Sequence, residues 1–198
     1  MKIQTRTIAF TALMTALVTI STAFLGVNMG TTYTNLGDTM IFVTAALFGP
    51  VPAMIAGGLG SFIADMMVFP MTMWFTLVIK GIEGLICGFL IRIFSKLNFK
   101  KPIGIILNFI AMIAAGIWMM AGYFLAESLL YGTLAAAVFA LSANAVQATL
   151  SITCALILVY GFKLCKMSID LKVFKSTHSK STKTNSRDTS TETPPTIE

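Results

Sequence analysis

Long hydrophobic runs, separated by short polar or glycine- and proline-containing segments, dominate the first 162 positions of the chain. The first run, residues 7–27, has 21 residues without a charge. That length crosses a hydrocarbon core of ~30 Å at ~1.5 Å per residue. Because the run is longer than the apolar core of a signal peptide, it predicts a retained first helix. Residues 28–37 are polar and contain glycine, so they predict a loop.

A second and a third helix are predicted on either side of a proline-rich turn. Asp38 and Asp65 bracket 26 uncharged residues, and the sequence Phe-Gly-Pro-Val-Pro at 48–52 interrupts this run. Because proline is costly inside a helix, the segment predicts a tight turn. The two helices are then expected at about 36–48 and 52–69. The first of them is unusually short, so we expect its N-terminus to end at some depth and not at the outer surface.

Three further apolar runs predict a fourth, a fifth and a sixth helix. Their expected ranges are about 73–94, 103–129 and 136–162. Six helices place both termini on one side, together with the basic link at 92–101. By the positive-inside rule that side is the cytoplasm. The predicted fold class is an all-α integral membrane protein with six transmembrane helices, multi-pass in the cell (plasma) membrane, with cytoplasmic N- and C-termini.

Composition agrees with this prediction and divides the chain in two. The residues are 56% hydrophobic and 11% charged, the mean hydropathy is +0.84, and the net charge is +6. Typical soluble domains are about 25% charged, so a soluble enzyme, a nucleic-acid-binding protein and a disordered protein are excluded. Residues 1–165 form the predicted six-helix membrane domain. Residues 166–198 are predicted to be a disordered, Ser/Thr-rich cytoplasmic tail, and the basic residues near the membrane suit anionic lipid.

Cysteine and histidine indicate neither a metal site nor another cofactor. The three cysteines show no Cys-x-x-Cys spacing, and the single histidine, His178, lies in the polar tail. We interpret the cysteines as small hydrophobic residues. A mechanism that needs a histidine within the membrane is excluded for this chain alone.

Ionisable side chains are costly inside a bilayer, so each one within a predicted span is a functional candidate. Five are present: Asp38, Asp65, Lys80, Glu83 and Glu127. The predicted topology places four of them in the outer half of the bundle, with Glu83 one helical turn deeper than Lys80. The sequence therefore predicts an outward-facing polar pocket for a small solute, with the apolar walls and few polar groups of typical ligand sites.

Polar residues of the last two helices add to this pocket. Asn144, Gln147 and Ser151 share one face of the sixth helix, and Tyr123 and Glu127 share one face of the fifth. Together with the loop residue Asn35, they complete the candidate site. The predicted substrate-binding residues are Asn35, Asp38, Asp65, Lys80, Glu127, Asn144 and Gln147.

Each candidate also has a purely structural interpretation. Asp38 could cap the second helix, and Asp65 could pair with Lys80. Lys80 could instead pair with Glu83 in its own helix. Glu127 could lie in outer water, and the two amides of the sixth helix could join helices. The functional interpretation rests on the convergence of all of them in one half of the membrane.

Several sequence segments resemble the S component of an energy-coupling factor (ECF) vitamin transporter, which is its substrate-binding subunit. They are Asn35-Leu36-Gly37-Asp38, Phe48-Gly49-Pro50, Ala56-Gly57-Gly58-Leu59-Gly60-Ser61, Ala64-Asp65 and Thr76-Leu77-Val78-Ile79-Lys80-Gly81. The resemblance covers about residues 5–165. It is strongest to the branch with riboflavin-type and hydroxymethylpyrimidine-type S components.

The resemblance implies a division of labour between chains. Members have six helices and a pocket near the outer face, covered by the loop after the first helix. The alanine face of the first helix, here Ala9, Ala12 and Ala16, contacts a transmembrane T component. Two ATPase subunits on other chains drive uptake, and this chain has no GxxxxGK[ST] phosphate loop of its own. We therefore expect a transport subunit and not an enzyme.

The polar groups favour a small neutral heteroaromatic substrate. A vitamin or vitamin precursor such as hydroxymethylpyrimidine or pyridoxine is the first expectation, and riboflavin is the second. A strongly anionic substrate is disfavoured because Lys80 is the only basic group in the predicted outer half.

Two other classes compete with this prediction. An intramembrane aspartyl protease needs two membrane aspartates, here Asp38 and Asp65, that share a proton. However, Asn35 stands where the usual Gly-x-Gly-Asp motif has its first glycine. A stand-alone permease or a membrane scaffold is the other class, although residues 7–94 and 103–162 show no inverted repeat.

Overall fold

The computed structural model describes residues 5–28, 32–97 and 101–161, and this part of the chain is almost entirely helical. The predicted disordered tail, residues 166–198, lies outside the described residues. The elements in chain order are α1 (Thr5–Phe24), β1 (Gly26–Asn28), β2 (Tyr33–Asn35), α2 (Gly37–Phe48), α3 (Pro50–Val68), α4 (Met73–Lys96), α5 (Lys101–Tyr131) and α6 (Leu134–Leu156), which continues into a π-helical turn, Ile157–Gly161.

Four of these helices are long and apolar enough to cross a membrane: α1, α3, α5, and α6 with its π-helical turn. The predicted membrane-protein class is therefore confirmed at this level. Helix α2 is apolar but has only 12 residues, so at ~1.5 Å per residue it reaches about 18 Å. Helix α4 has 24 residues and carries Lys80 and Glu83 in its interior. Six spans and the side on which the termini lie stay predictions.

The predicted loop at 28–37 contains a structural element that the sequence analysis missed. Strands β1 and β2 form an antiparallel pair in which Val27 opposes Thr34. The Tyr33 hydroxyl donates hydrogen bonds to the carbonyl oxygens of Thr22 and Ala23, at 2.8 and 3.1 Å. The sequence indicated only a loop here, because three-residue strands are too short to produce a visible alternation of polar and apolar residues.

The corner between α2 and α3 is tighter than predicted. Gly49 alone separates the helices, and its φ of 87° is a conformation that favours glycine. Pro50 and Pro52 belong to the first turn of α3, where the missing N–H of proline has no intrahelical partner to lose. Gly88 of α4 packs against this corner, because a Cβ added there would lie 2.5 Å from the Pro50 Cα.

Helix α2 lies at the centre of the bundle. Nine of its twelve residues are buried, and Ile41 and Phe42 are fully inaccessible. They belong to a core that also contains Val18 of α1 and Met112 of α5. Many other large apolar side chains of the long helices are exposed, as expected for helices that face lipid. A short central helix surrounded by longer ones therefore holds Asp38 inside the protein.

Candidate functional site

A small polar cavity lies between the hairpin, the junction of α3 and α4, and helices α5 and α6. Its volume is about 20 Å³, which suits about one water molecule and is far below the ~300–1,000 Å³ of typical small-molecule sites. A vitamin-sized ligand therefore requires the walls to move apart. The lining residues are Thr32, Tyr33, Asn35, Asp65, Phe69, Thr72, Tyr123, Glu127, Asn144 and Gln147.

The structure divides the seven predicted site residues into two groups. Five line the cavity, while Asp38 and Lys80 do not. Those two form an ion pair, and the ammonium group of Lys80 also lies 3.1 Å from the Glu83 carboxylate. These three side chains form a buried ion cluster, and each is at most 2% exposed. The predicted pairing of Lys80 with Glu83 within one helix is confirmed, and both carboxylates share one ammonium group.

Asp38 does not cap α2, although that was one structural interpretation. The N-cap of α2 is Leu36, and it makes no side-chain capping hydrogen bond. Asp38 lies in the first helical turn, where a carboxylate meets the positive end of the helix dipole. Its side chain accepts hydrogen bonds from Lys80 and from Gln147.

Asp65 is held by hydroxyl groups. Its Oδ2 accepts hydrogen bonds from Thr76 at 2.5 Å and from Thr72 at 3.2 Å. The Thr76 hydroxyl also lies 3.0 Å from the Tyr123 hydroxyl. The suggested ion pair between Asp65 and Lys80 is wrong, because the described ion pairs of Lys80 are with Asp38 and Glu83.

Thr72 and Thr76 are not among the site residues that the sequence predicted. Thr72, Thr76 and Lys80 are spaced four residues apart, which places them on one face of a helix. That spacing is visible in the sequence, but the contact of the threonines with Asp65 depends on how α3 packs against α4. The ring of Tyr123, next to Thr76, also makes a cation–π contact with Lys80, whose Nζ lies 5.4 Å from the ring centroid.

Gln147 connects the cavity to the buried ion cluster. Its Oε1 accepts a hydrogen bond from the backbone N–H of Asn35, and its Nε2 donates one to Asp38, both at 2.8 Å. Asn35 in turn accepts a hydrogen bond from the backbone N–H of Gly37 at 2.9 Å. Gln147 therefore acts between elements, as the structural interpretation proposed, and lines the cavity as well.

Glu127 and Asn144 contribute polar atoms that have no protein partner. Glu127 is 2% exposed, so the suggestion that it lies in outer water is wrong. The Thr32 side chain hydrogen-bonds to its carboxylate. Its Oε2 and the Nδ2 of Asn144 are both buried without a hydrogen-bond partner.

The predicted alanine face lies on the outside of the bundle. Ala9, Ala12 and Ala16 are all exposed, whereas Met14 and Val18 of the same helix enter the core. The face is thus available to another helix, and its small side chains permit a close approach.

The two aspartates needed for a protease do not share a binding partner. Asp38 is bound by Lys80 and Gln147, and Asp65 by Thr72 and Thr76. A catalytic dyad shares one proton between two carboxylates. The separate sets of donors give no support to the protease alternative.

Comparison with known proteins adds a family match and one relative. The family model described as "ECF-type riboflavin transporter, S component" matches residues 2–164. A Pyrococcus woesei protein described as "Uncharacterized protein in gap 3'region" is 41% identical over 102 residues, which are 50% of this chain and 62% of that protein. The match thus spans less than two thirds of the relative's length.

Proposed function

Because the chain belongs to the family of ECF-type riboflavin transporter S components, we propose that it captures a small water-soluble vitamin or vitamin precursor for ATP-driven uptake. The role is binding and transport, not catalysis. One observation carries the proposal: buried polar side chains of the hairpin region, α3, the junction of α3 and α4, α5 and α6 converge on one cavity within an apolar bundle.

The proposed topology has six membrane spans, cytoplasmic termini and a pocket that opens outward at the plasma membrane. Helix α4 fits this topology despite its charges. Lys80 and Glu83 are fully buried and paired within the bundle, so the lipid does not meet them. The basic segments lie on the proposed cytoplasmic side.

The proposed substrate-binding residues have two roles. Asn35, Asp65, Glu127, Asn144 and Gln147 contact the substrate directly, because they line the cavity. Asp38 and Lys80, the remaining two of the seven, act indirectly by holding Gln147 in place. Asp38 accepts a hydrogen bond from Gln147, and Lys80 pairs with Asp38.

A hydroxymethylpyrimidine- or pyridoxine-like compound is the preferred substrate, and riboflavin is the second choice. No described residue that lines the cavity carries a basic side chain. An anionic substrate would therefore meet Asp65 and Glu127 without a compensating cation.

The proposed protein partners are a T component and two ATPase subunits. The exposed alanine face of α1, formed by Ala9, Ala12 and Ala16, is the proposed contact with the T component. The chain has no phosphate-binding loop, so the energy for uptake comes from the ATPase subunits.

Reconstitution tests this division of labour. The purified chain is placed in proteoliposomes, alone or with its T component and ATPase subunits, and given radiolabelled hydroxymethylpyrimidine, pyridoxine or riboflavin. We expect binding without accumulation for the chain alone, and ATP-dependent accumulation for the complete complex. Accumulation by the chain alone would favour a stand-alone permease, and binding of none of the three compounds would contradict the proposed function.

A further inference from the structure

Two polar atoms in the cavity lack the hydrogen bonds that buried polar atoms normally make. Seven buried side-chain atoms of the described residues have no hydrogen-bond partner, and of these only Glu127 Oε2 and Asn144 Nδ2 belong to residues that line the cavity. One is an acceptor and the other a donor. A ligand that satisfies both must offer a donor and an acceptor close together.

The surrounding charges favour a ligand that donates hydrogen bonds. Asp65 and Glu127 both line the cavity, and the described lining residues include no lysine, arginine or histidine. The nearby Lys80 is already paired with Asp38 and Glu83. Two carboxyl groups without a described cation beside them favour a ligand that offers N–H groups and disfavour phosphate or carboxylate groups.

Glu127 is already positioned for this contact. The Thr32 side chain hydrogen-bonds to its carboxylate, which leaves Oε2 as the oxygen available to a ligand. Asn144 lies on the neighbouring helix α6 and lines the same small cavity. A ligand in this cavity therefore meets an acceptor from α5 and a donor from α6.

We propose that Glu127 and Asn144 recognise a nitrogen heterocycle by an N–H donor that lies beside a hydrogen-bond acceptor, and that Glu127 is the main specificity-determining residue. Glu127 accepts from the N–H group, while the Asn144 amide donates to the neighbouring ring nitrogen or carbonyl oxygen. The inference rests on the proposed function and narrows its substrate to cyclic amides and amidines, including aminopyrimidines.

Matched ligands and matched variants test this together. The ligands are hydroxymethylpyrimidine and its N,N-dimethylamino analogue, riboflavin and its derivative methylated at the imide nitrogen, and pyridoxine. The variants are Glu127→Leu, which removes both acceptors, and Glu127→Gln, which keeps a neutral one. Ser128→Ala is the control, because the Ser128 hydroxyl already bonds to the Phe124 carbonyl oxygen of its own helix. Affinity is measured by calorimetry on purified protein, and thermal unfolding reports folding.

We expect wild-type protein to bind at least one parent compound about 10- to 100-fold more tightly than its methylated partner, because the methylated compound leaves a buried acceptor of Glu127 unsatisfied. Glu127→Leu should lose the same factor for the parent and none for the methylated compound, and Glu127→Gln should fall between. Ser128→Ala should resemble wild type.

Three results would overturn the inference while leaving the proposed function intact. They are equal loss of parent and methylated compound in Glu127→Leu, equal affinity of wild type for both members of each pair, and binding of pyridoxine alone. If Glu127→Leu fails to fold, the wild-type ratio and Glu127→Gln decide. Binding of no compound by wild type would instead contradict the proposed function itself.

Discussion

The Nε2 of Gln147 donates a hydrogen bond to the Oδ2 of Asp38 at 2.8 Å, with both side chains almost fully buried. Through its other amide atom Gln147 holds the backbone of Asn35, next to the cavity. One side chain therefore links the wall of the proposed substrate pocket to the ion cluster. A change in the structure of either one should affect the other.

Replacing Gln147 by leucine should damage both stability and binding. The substitution leaves the Asn35 N–H and one oxygen of Asp38 buried without a partner, which costs roughly 2–5 kcal/mol in total. We expect a lower unfolding temperature and weaker ligand binding. Thr149→Ala is the control, because Thr149 is exposed and bonds to Ala145 of its own helix. Equal behaviour of the two variants would show that Gln147 forms no such link.

Removing the buried ammonium group should be more harmful than removing an exposed one. Lys80→Met leaves Asp38 and Glu83 without their shared cation, and breaking a buried pair in this way costs about 3–5 kcal/mol. Lys96→Met, at an exposed position of the same helix, should be close to neutral. Thermal unfolding in detergent measures both.

A second substitution tests whether the charges interact. Adding Asp38→Asn to Lys80→Met should recover part of the lost stability, because one uncompensated carboxylate disappears. If the double variant loses as much stability as Lys80→Met and Asp38→Asn lose together, Asp38 and Lys80 are not coupled. That result would contradict the described ion cluster.

The two glycines Gly88 and Gly104 should respond in opposite ways to alanine. A Cβ at Gly88 would lie 2.5 Å from the Pro50 Cα, so Gly88→Ala should push α4 away from the corner and lower the unfolding temperature. Nothing lies within 4 Å of a Cβ at Gly104, so Gly104→Ala should stabilise α5 by about 0.4–1 kcal/mol. A stable Gly88→Ala variant would contradict the packing of α4 against the corner.

The alanine face of α1 should matter for assembly only. Ala12→Trp adds bulk at an exposed position, so substrate affinity and unfolding temperature should stay unchanged while co-purification with the T component is lost. Ile117→Trp is the control, because Ile117 is also exposed but lies on α5, away from the alanine face. Loss of assembly in both variants, or in neither, would argue against a specific alanine contact.

The helices could be predicted well because nearby residues mark where each one begins and ends. The apolar runs and the break at Gly49 gave α2 as a short helix that begins near Asp38, as observed. Pro50 was misjudged because a proline in the first turn of a helix and a proline in a turn look alike in sequence. The hairpin was missed because its strands have only three residues each.

The arrangement of the site could be predicted only in part. Depth along each helix indicated that Asp38, Asp65 and Lys80 lie in one region. It could not indicate which carboxylate Lys80 binds, because that depends on how α2 and α3 are rotated against α4. The division of the predicted site residues between the cavity and the ion cluster is therefore visible only in the three-dimensional structure.

The most direct test of the central claim is to identify what the purified protein retains. The protein is isolated without added ligand and denatured, and the released small molecules are identified by mass spectrometry. Asn144→Leu is prepared in parallel, with Ser142→Ala as control, because Ser142 is exposed and bonds to Phe139 of its own helix. We predict a stoichiometric nitrogen heterocycle from wild type and Ser142→Ala, and much less from Asn144→Leu. No retained molecule, together with no response to a panel of vitamins and precursors, would contradict the account.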